Sequence, residues 1–312
     1  MQGFYPGIIE AILSDSQTID LLLLKFSYLK RHLNEQRNYF SPAVTLPPEL
    51  LVHIFQTVLR LENNGKSLKS CSQVCRRWRY AAAESTLLWA NALDFVGDSY
   101  SWVTEMLRRS LSTPYDLCVD YDQVDHRDPT DVKVSYALHS LSCIHRLHLN
   151  ASQASFTAIF RNGGIRTAAP ILNSMYLTNT SRIYGESGTP LLPSTILSLD
   201  APLLRSLHIA GFAFTWSHLK FNNLTCLSIL ELPDLTKPTI EHVLRFLVDS
   251  PLLQELRLGG VFFEPSEDEP ETPLIVTLDY LSRLDLWASV STSTAFLTQL
   301  ALPSLSALNV VV

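Results

Sequence analysis

One short spacing recurs seven times along the chain: an apolar residue, two variable residues, an apolar residue, one variable residue, an apolar residue. It occurs at Ile144/Leu147/Leu149, Leu172/Met175/Leu177, Leu204/Leu207/Ile209, Leu224/Leu227/Ile229, Leu253/Leu256/Leu258, Leu281/Leu284/Leu286 and Leu305/Leu308/Val310. A weaker eighth lies at Leu117/Val119. Successive units begin 20 to 32 residues apart. The alternating half of each unit is the pattern of a strand with one buried face. Between units lie helix-like stretches. Residues 238–249 place Ile240, Val243, Leu244 and Leu247 on one face, and Phe156, Ile159 and Phe160 mark another stretch, stopped by Gly163 and Gly164. A single strand with its connector cannot bury its own apolar face. The array therefore predicts a stack of strands, each covering the next.

The segment before this array is helical. Residues 14–38 carry Ile19, Leu22, Leu23, Phe26, Leu29 and Leu33 near a 3.6 period, with basic residues gathered towards the C-terminal end. Two readings stay open for this helix: docking on its own domain, or short-range self-association. Ser41-Pro42 breaks it. A second helix begins at Pro47-Pro48-Glu49, where proline and an acidic residue suit a first turn. Its stripe is Leu50, Leu51, Ile54, Phe55, Val58 and Leu59. After residues 62–65, Leu68, Cys71, Val74, Cys75, Trp78, Ala81 and Ala82 continue a helical pattern, with Arg76, Arg77 and Arg79 expected to face outward.

Leu46-Pro47-Pro48-Glu49-Leu50-Leu51-Val52-His53-Ile54-Phe55, then Val74-Cys75-Arg76-Arg77-Trp78-Arg79 and Leu88-Trp89, resembles an F-box over about fifty residues. The loop at 61–67 is longer than in the shortest members, which lengthens a surface connection only. The resemblance implies that Pro47, Leu50, Leu51 and Ile54 face a Skp-family adaptor. Leu46, Phe55, Val74, Cys75 and Trp78 would build or edge the same surface. It also implies that the chain supplies docking, while the adaptor, cullin and the conjugating machinery supply the transfer chemistry.

The strand array resembles an irregular, fungal-type leucine-rich-repeat solenoid. It departs from the family in uneven spacing and in lacking the asparagine after most strands. The expected fold class is α+β: a small all-α F-box domain followed by an irregular α/β leucine-rich-repeat solenoid. The expected divisions are an N-terminal helix at 14–40, the F-box at 41–95 and the repeats at 96–312, with the array expected to continue past Val312. Residues 264–273, rich in acid and proline, read as a loop, and Ser266 before three acidic residues resembles a weak kinase site.

Composition removes several alternatives. Hydrophobic residues make up 46% and charged residues 17%, enough for a sizeable core. A formal charge of −6 argues against nucleic acid as a partner. Five scattered cysteines suggest no disulfide framework and a reducing compartment, cytoplasmic or nuclear. The first residues lack a signal-peptide pattern, and the densest early apolar run, residues 21–24, is too short to span a bilayer.

No phosphate-loop, dinucleotide, zinc-protease or nucleophile-elbow motif is present. Cys71 and Cys75 read as small core residues, and His145 and His148 fall on opposite faces of a strand, so no cofactor or metal is expected and no enzyme activity. The residues between the apolar pairs form a candidate target-binding row: His148, Tyr176, His208, Ser228, Arg257, Asp285 and Asn309, with Trp287 just beyond. The functional expectation is a substrate-recognition subunit of a Skp–cullin–F-box ubiquitin ligase, binding the adaptor, and through it cullin, by the F-box and an unknown protein by the repeats. The alternative is a repeat scaffold that binds the adaptor without delivering targets.

Overall fold

The computed structural model describes residues 16–62, 65–121, 129–162, 168–181, 191–262 and 275–312. The acidic stretch at 264–273, with Ser266, and the Gly163-Gly164 helix stop lie outside the described residues. The chain divides into two compact units, Met1–Leu88 and Trp89–Val312.

The first unit is helical. It comprises α1 (Ser16–Tyr39), α2 (Pro42–Thr45), α3 (Pro48–Glu62), α4 (Lys66–Gln73) and α5 (Arg76–Glu84), and α6 (Thr86–Asn91) runs across the division. The Ser41-Pro42 break is a helix start as well as a stop, because proline at the first position of α2 costs no backbone hydrogen bond. Helices α3, α4 and α5 pack on one another. Leu51, Phe55 and Leu59, four residues apart along α3, enter their core together with Leu68, Ala81 and Ala82.

The second unit is built on one eight-stranded parallel sheet. Its strands are β1 (Tyr115–Asp120), β2 (Ile144–Ala151), β3 (Ser174–Asn179), β4 (Ser206–Ala210), β5 (Cys226–Leu230), β6 (Glu255–Gly259), β8 (Arg283–Trp287) and β10 (Ala307–Val311), in that spatial order. The short strands β7 (Val276–Thr277) and β9 (Leu300–Ala301) form a separate parallel pair. Each main strand pairs with the next in chain order, and the repeated spacing sets the register. Leu147, Met175, Leu207, Leu227, Leu256, Leu284 and Leu308 lie side by side. From Leu147 to Leu284 every member of that row is buried, as is the parallel row from Val119 through Leu149, Leu177, Ile209, Ile229 and Leu258 to Leu286. The weak eighth unit, Leu117/Val119, is the buried face of β1.

The main-chain ladder continues beyond the strands. Arg205 N–H donates to the Asn173 carbonyl, Thr225 to Arg205, Gln254 to Thr225 and Ser282 to Gln254, so neighbouring units are tied before each strand begins. Helix α7 (Tyr100–Ser110) precedes β1, and the connections between strands carry α8 (Thr130–Leu138), α9 (Gln153–Asn162), α10 (Ser194–Leu197), α11 (Ile240–Val248) and α12 (Val290–Leu297). The helix-like stretches read around Phe156 and Ile240 are α9 and α11, with Phe156, Ile159, Val243, Leu244 and Leu247 buried. Helix α8 has no apolar stripe because nearly its whole circumference is enclosed, Lys133 and Ser135 included, and Lys133 Nζ donates to the Asp98 carbonyl at 2.8 Å.

At the C-terminal ends of β4, β5 and β6 the chain turns through positive φ at Gly211 (72°), Glu231 (54°) and Gly260 (62°). Each of these three N–H groups donates across to the next strand's end: Gly211 to Leu230, Glu231 to Gly259 and Gly260 to Trp287. A Cβ at Gly211 would stand 2.9 Å from the Asn179 carbonyl oxygen, while Asn179 Nδ2 already donates to the Gly211 carbonyl. Gly211→Ala therefore adds both a backbone strain and a clash. It should cost about 1–3 kcal/mol, read as a lowered denaturation midpoint at unchanged secondary structure.

Candidate functional site

In the helical unit the α3 stripe splits in two. Leu51 and Phe55 are 0% and 1% exposed, whereas Leu50 and Ile54 are 50% and 40% exposed. Leu51 and Phe55 therefore cannot offer their side chains to a partner in this conformation. Both were expected among the docking residues; α4 and α5 lie against that side of α3 and enclose it, with the Phe55 ring 5.2 Å from the ring of Trp78. Pro47, Leu50 and Ile54 are exposed, Leu46 and Cys75 are half-buried, and Val74 is exposed across the α4–α5 turn.

The local sequence explains how this surface is held. Arg77 extends its guanidinium to the Leu46 carbonyl through Nε (3.2 Å) and Nη2 (2.8 Å). Trp78 Nε1 donates to the Ala43 carbonyl at 3.1 Å. Together they fasten the chain entering α3, so Pro47 and the first turn are placed by α5. The arginines expected to face outward are exposed, yet two of them tie backbone: Arg77 as above, and Arg79 through Nε to the Ser72 carbonyl at 3.1 Å. Trp78 is half-buried and structural as much as superficial.

In the sheet unit the strand register brings the expected central row together. His148, Tyr176, His208, Ser228, Arg257, Asp285 and Asn309 are direct cross-strand neighbours, and Cys118 of β1 extends the row. The sequence reading did not include Cys118, although its place between Leu117 and Val119 carried the same signal. His148, Tyr176 and His208 form an aromatic ladder, with ring centroids 5.5 and 5.7 Å apart. The Tyr176 hydroxyl lies 2.9 Å from Ser206 Oγ.

Beside the ladder, Ser228 is too small to fill its place. A depression of about 140 Å³ opens there, lined by His208, Cys226, Ser228, Glu255 and Arg257 and edged by Tyr176. Burial pushes the Cys226 thiol up, and the nearby Glu255 carboxylate adds to that, so it is not an activated nucleophile.

Asp285 differs from the rest of the row. It is 3% exposed and not freely presented: Arg257 and Arg283 close over Oδ2 at 3.2 and 3.0 Å. It was expected on the target-binding face, and its carboxylate is instead enclosed within the row. It anchors Arg257, which also approaches Glu255 at 3.7 Å. Trp287 is the last residue of β8 rather than a residue after it, and it packs over Gly259, where an added Cβ would meet its ring at 3.1 Å. His145 and His148 do not converge: His145 Nδ1 lies 3.3 Å from Asp116 Oδ1, while His148 joins the ladder. Among the described residues, no cluster of three His, Cys, Asp or Glu side chains suits a metal ion, and no helix is long and apolar enough to cross a membrane.

Residues 43–93 match the F-box-like family model. The match covers α2 to α6 and holds the exposed Pro47, Leu50, Ile54 and Val74. The chain thus pairs an F-box-like helical segment, a setting for adaptor binding, with a parallel-strand sheet carrying helices. No curated protein matches the chain.

Burial, then the charges of His148 and Arg257, lower the His208 pKa from its ordinary 6.5. Above 6.5 both folded and unfolded forms hold His208 neutral, so it adds no pH dependence there. As pH falls below that value the unfolded chain takes up a proton more readily, and stability declines towards the lowered folded pKa. His208→Gln should flatten that part of the curve, measured as denaturation midpoint between neutral and mildly acidic pH.

Proposed function

We propose that this chain is a substrate-recognition subunit of a Skp–cullin–F-box ubiquitin ligase. The observation that carries the reading is the exposed pair Leu50 and Ile54, one helical turn apart on α3, inside the segment that matches the F-box-like family. Large side chains held half out of water on a fixed helix make anchors for a partner, each worth about 1 kcal/mol when the remaining half is covered. Pro47 and Val74 border them, and Leu46 and Cys75 support the rim. The core residues Leu51 and Phe55 and the half-buried Trp78 act by fixing the presentation.

The sheet unit is then the target-binding part, an irregular leucine-rich-repeat array whose outer face offers the His148–Tyr176–His208 ladder and the Arg257 depression. Rigid aromatic rings beside a cation and small polar side chains suit recognition of a protein segment. In this reading the chain performs no chemistry of its own. Ubiquitin transfer falls to the enzymes that the adaptor and cullin bring.

Leu50→Asp combined with Ile54→Asp should abolish co-purification with a Skp-family adaptor and cullin while the sheet unit stays folded by circular dichroism. Retained adaptor binding in that variant overturns the docking reading. Adaptor capture without cullin in the unaltered chain favours an adaptor-bound scaffold over a ligase. Tyr176→Ala with His208→Ala should keep the adaptor and lose the target. A target lost with neither change would place recognition elsewhere.

A further inference from the structure

The segment that leads into α3 has little means of fixing itself. Leu46 caps α2 in an extended conformation (φ −55°, ψ 142°), the kind that a following proline favours. Pro47 and Pro48 carry no N–H, so the first backbone donor after Leu46 is that of Glu49. What remains to hold the entry is its carbonyls. The Pro47 carbonyl starts α3, accepting from the N–H groups of Leu50 at 3.1 Å and Leu51 at 3.2 Å. The carbonyls of Ala43 and Leu46 are taken by α5, through Trp78 Nε1 at 3.1 Å and through Arg77 Nε and Nη2 at 3.2 and 2.8 Å.

These two donors differ in what else they do. Trp78 also packs on Phe55, with ring centroids 5.2 Å apart, so it serves the core as well. Arg77 is exposed, and two of its N–H groups go to one carbonyl 31 residues earlier in the chain. Of the other arginines of α5, Arg76 pairs with Glu35 and Arg79 reaches the Ser72 carbonyl. Arg77 is therefore the arginine turned to the docking segment. A planar guanidinium with two N–H groups on one oxygen fixes direction as well as distance. Leu50 stands in the first turn that Pro47 opens, with half its surface in water, whereas Ile54, one turn on, precedes the buried Phe55. The entry thus governs Pro47 and Leu50 most.

We propose that Arg77 is the positioning residue of the adaptor-docking surface: by holding the Leu46 carbonyl it presets Pro47 and Leu50 for the adaptor without making the contact itself. This role rests on the docking reading proposed above and has a kinetic signature of its own. When only a fraction of molecules holds the entry in its docking form, association slows in proportion to that fraction, and dissociation of the formed complex is unchanged. A residue that touches the adaptor acts on dissociation instead. A residue that merely supports the fold loosens the whole helical core when it is replaced.

The test measures rate constants for the full chain with a purified Skp-family adaptor by surface plasmon resonance, beside amide hydrogen exchange of the free chain. Arg77→Gln should slow association about threefold to tenfold and leave dissociation unchanged. Arg77→Lys should recover part of the rate, since an ammonium can reach the carbonyl but cannot grip it with a fork. In the free Arg77→Gln chain the Leu50 and Leu51 amides should exchange faster, with those of Leu59 and Ala81 unchanged. Association at the unaltered rate overturns the proposal. So does a loss confined to dissociation, which would make Arg77 a direct contact, or faster exchange throughout the helical unit, which would make it a support of the core. The Leu50→Asp/Ile54→Asp chain separates the two readings. If it keeps the adaptor, or the unaltered chain never binds it, docking itself fails and the positioning role with it. If it loses the adaptor while Arg77→Gln changes nothing, only the positioning role falls.

Discussion

A parallel strand cannot be satisfied alone. Its N–H and C=O groups point to both sides, and the apolar face beneath it needs cover from the same neighbours. In the sheet unit these two needs coincide at every step. Leu207 and Ile209 meet Leu227 and Ile229 on one face while their backbones exchange the ladder bonds. The carbonyls of Asn173, Arg205, Thr225 and Gln254 carry the same ladder into the turn before each strand. Register is therefore over-determined: a slip of one residue would turn the buried rows outward and break the turn bonds together. Everything the outer face can do rests on that fixed register.

The outer face inherits its order from the core. Because every unit has the same offset between its apolar residues, the side chains between them fall into a row without further instruction. Tyr176 stacks near His148 and His208 only because Met175, Leu147 and Leu207 are neighbours underneath. Where a row position is small, as at Ser228, the neighbours stand apart and leave a depression. Where it is charged, as at Asp285, the adjacent strand supplies the counter-ion from its own row position, Arg257. Breaking that pair from the Arg257 side would leave a nearly enclosed carboxylate with Arg283 alone, a costly arrangement.

The parts legible in the sequence are those fixed by spacing. The strand rows, the central outer row and helices α9 and α11 follow from periodicity, because each has one wet and one dry side. The parts that were not legible depend on contacts distant in the chain. Leu50, Leu51, Ile54 and Phe55 form a single apolar stripe in the sequence. Only the packing of α4 and α5 decides which of them are core. Asp285 reads as a surface residue until the guanidinium from β6 closes over it. Helix α8 left no stripe because it is enclosed nearly all round, and Trp287 was placed one step too late because strand ends carry no sharp signal.

Helix α1 shows most clearly what pattern alone cannot decide. Amphipathicity states that a helix has two faces but not which one its own domain takes. Covering the apolar residues of α1 would require the core of the helical unit to reach it, and Leu51, Phe55, Leu59 and Leu68 are closed among α3, α4 and α5 instead. What the α4–α5 region presents towards α1 is Gln73, Val74, Cys75, Arg76 and Arg79, and there Arg76 pairs with Glu35 at 2.9 Å. Large apolar residues on several sides of α1, among them Leu24, Phe26, Tyr28 and Leu33, thus stay exposed as a consequence of how little core a short helical unit can share. The same economy leaves Leu50 and Ile54 outside on α3. One limited core thus leaves apolar side chains of both α1 and α3 outside it, and only on α3 do they fall inside the segment that matches the F-box-like family.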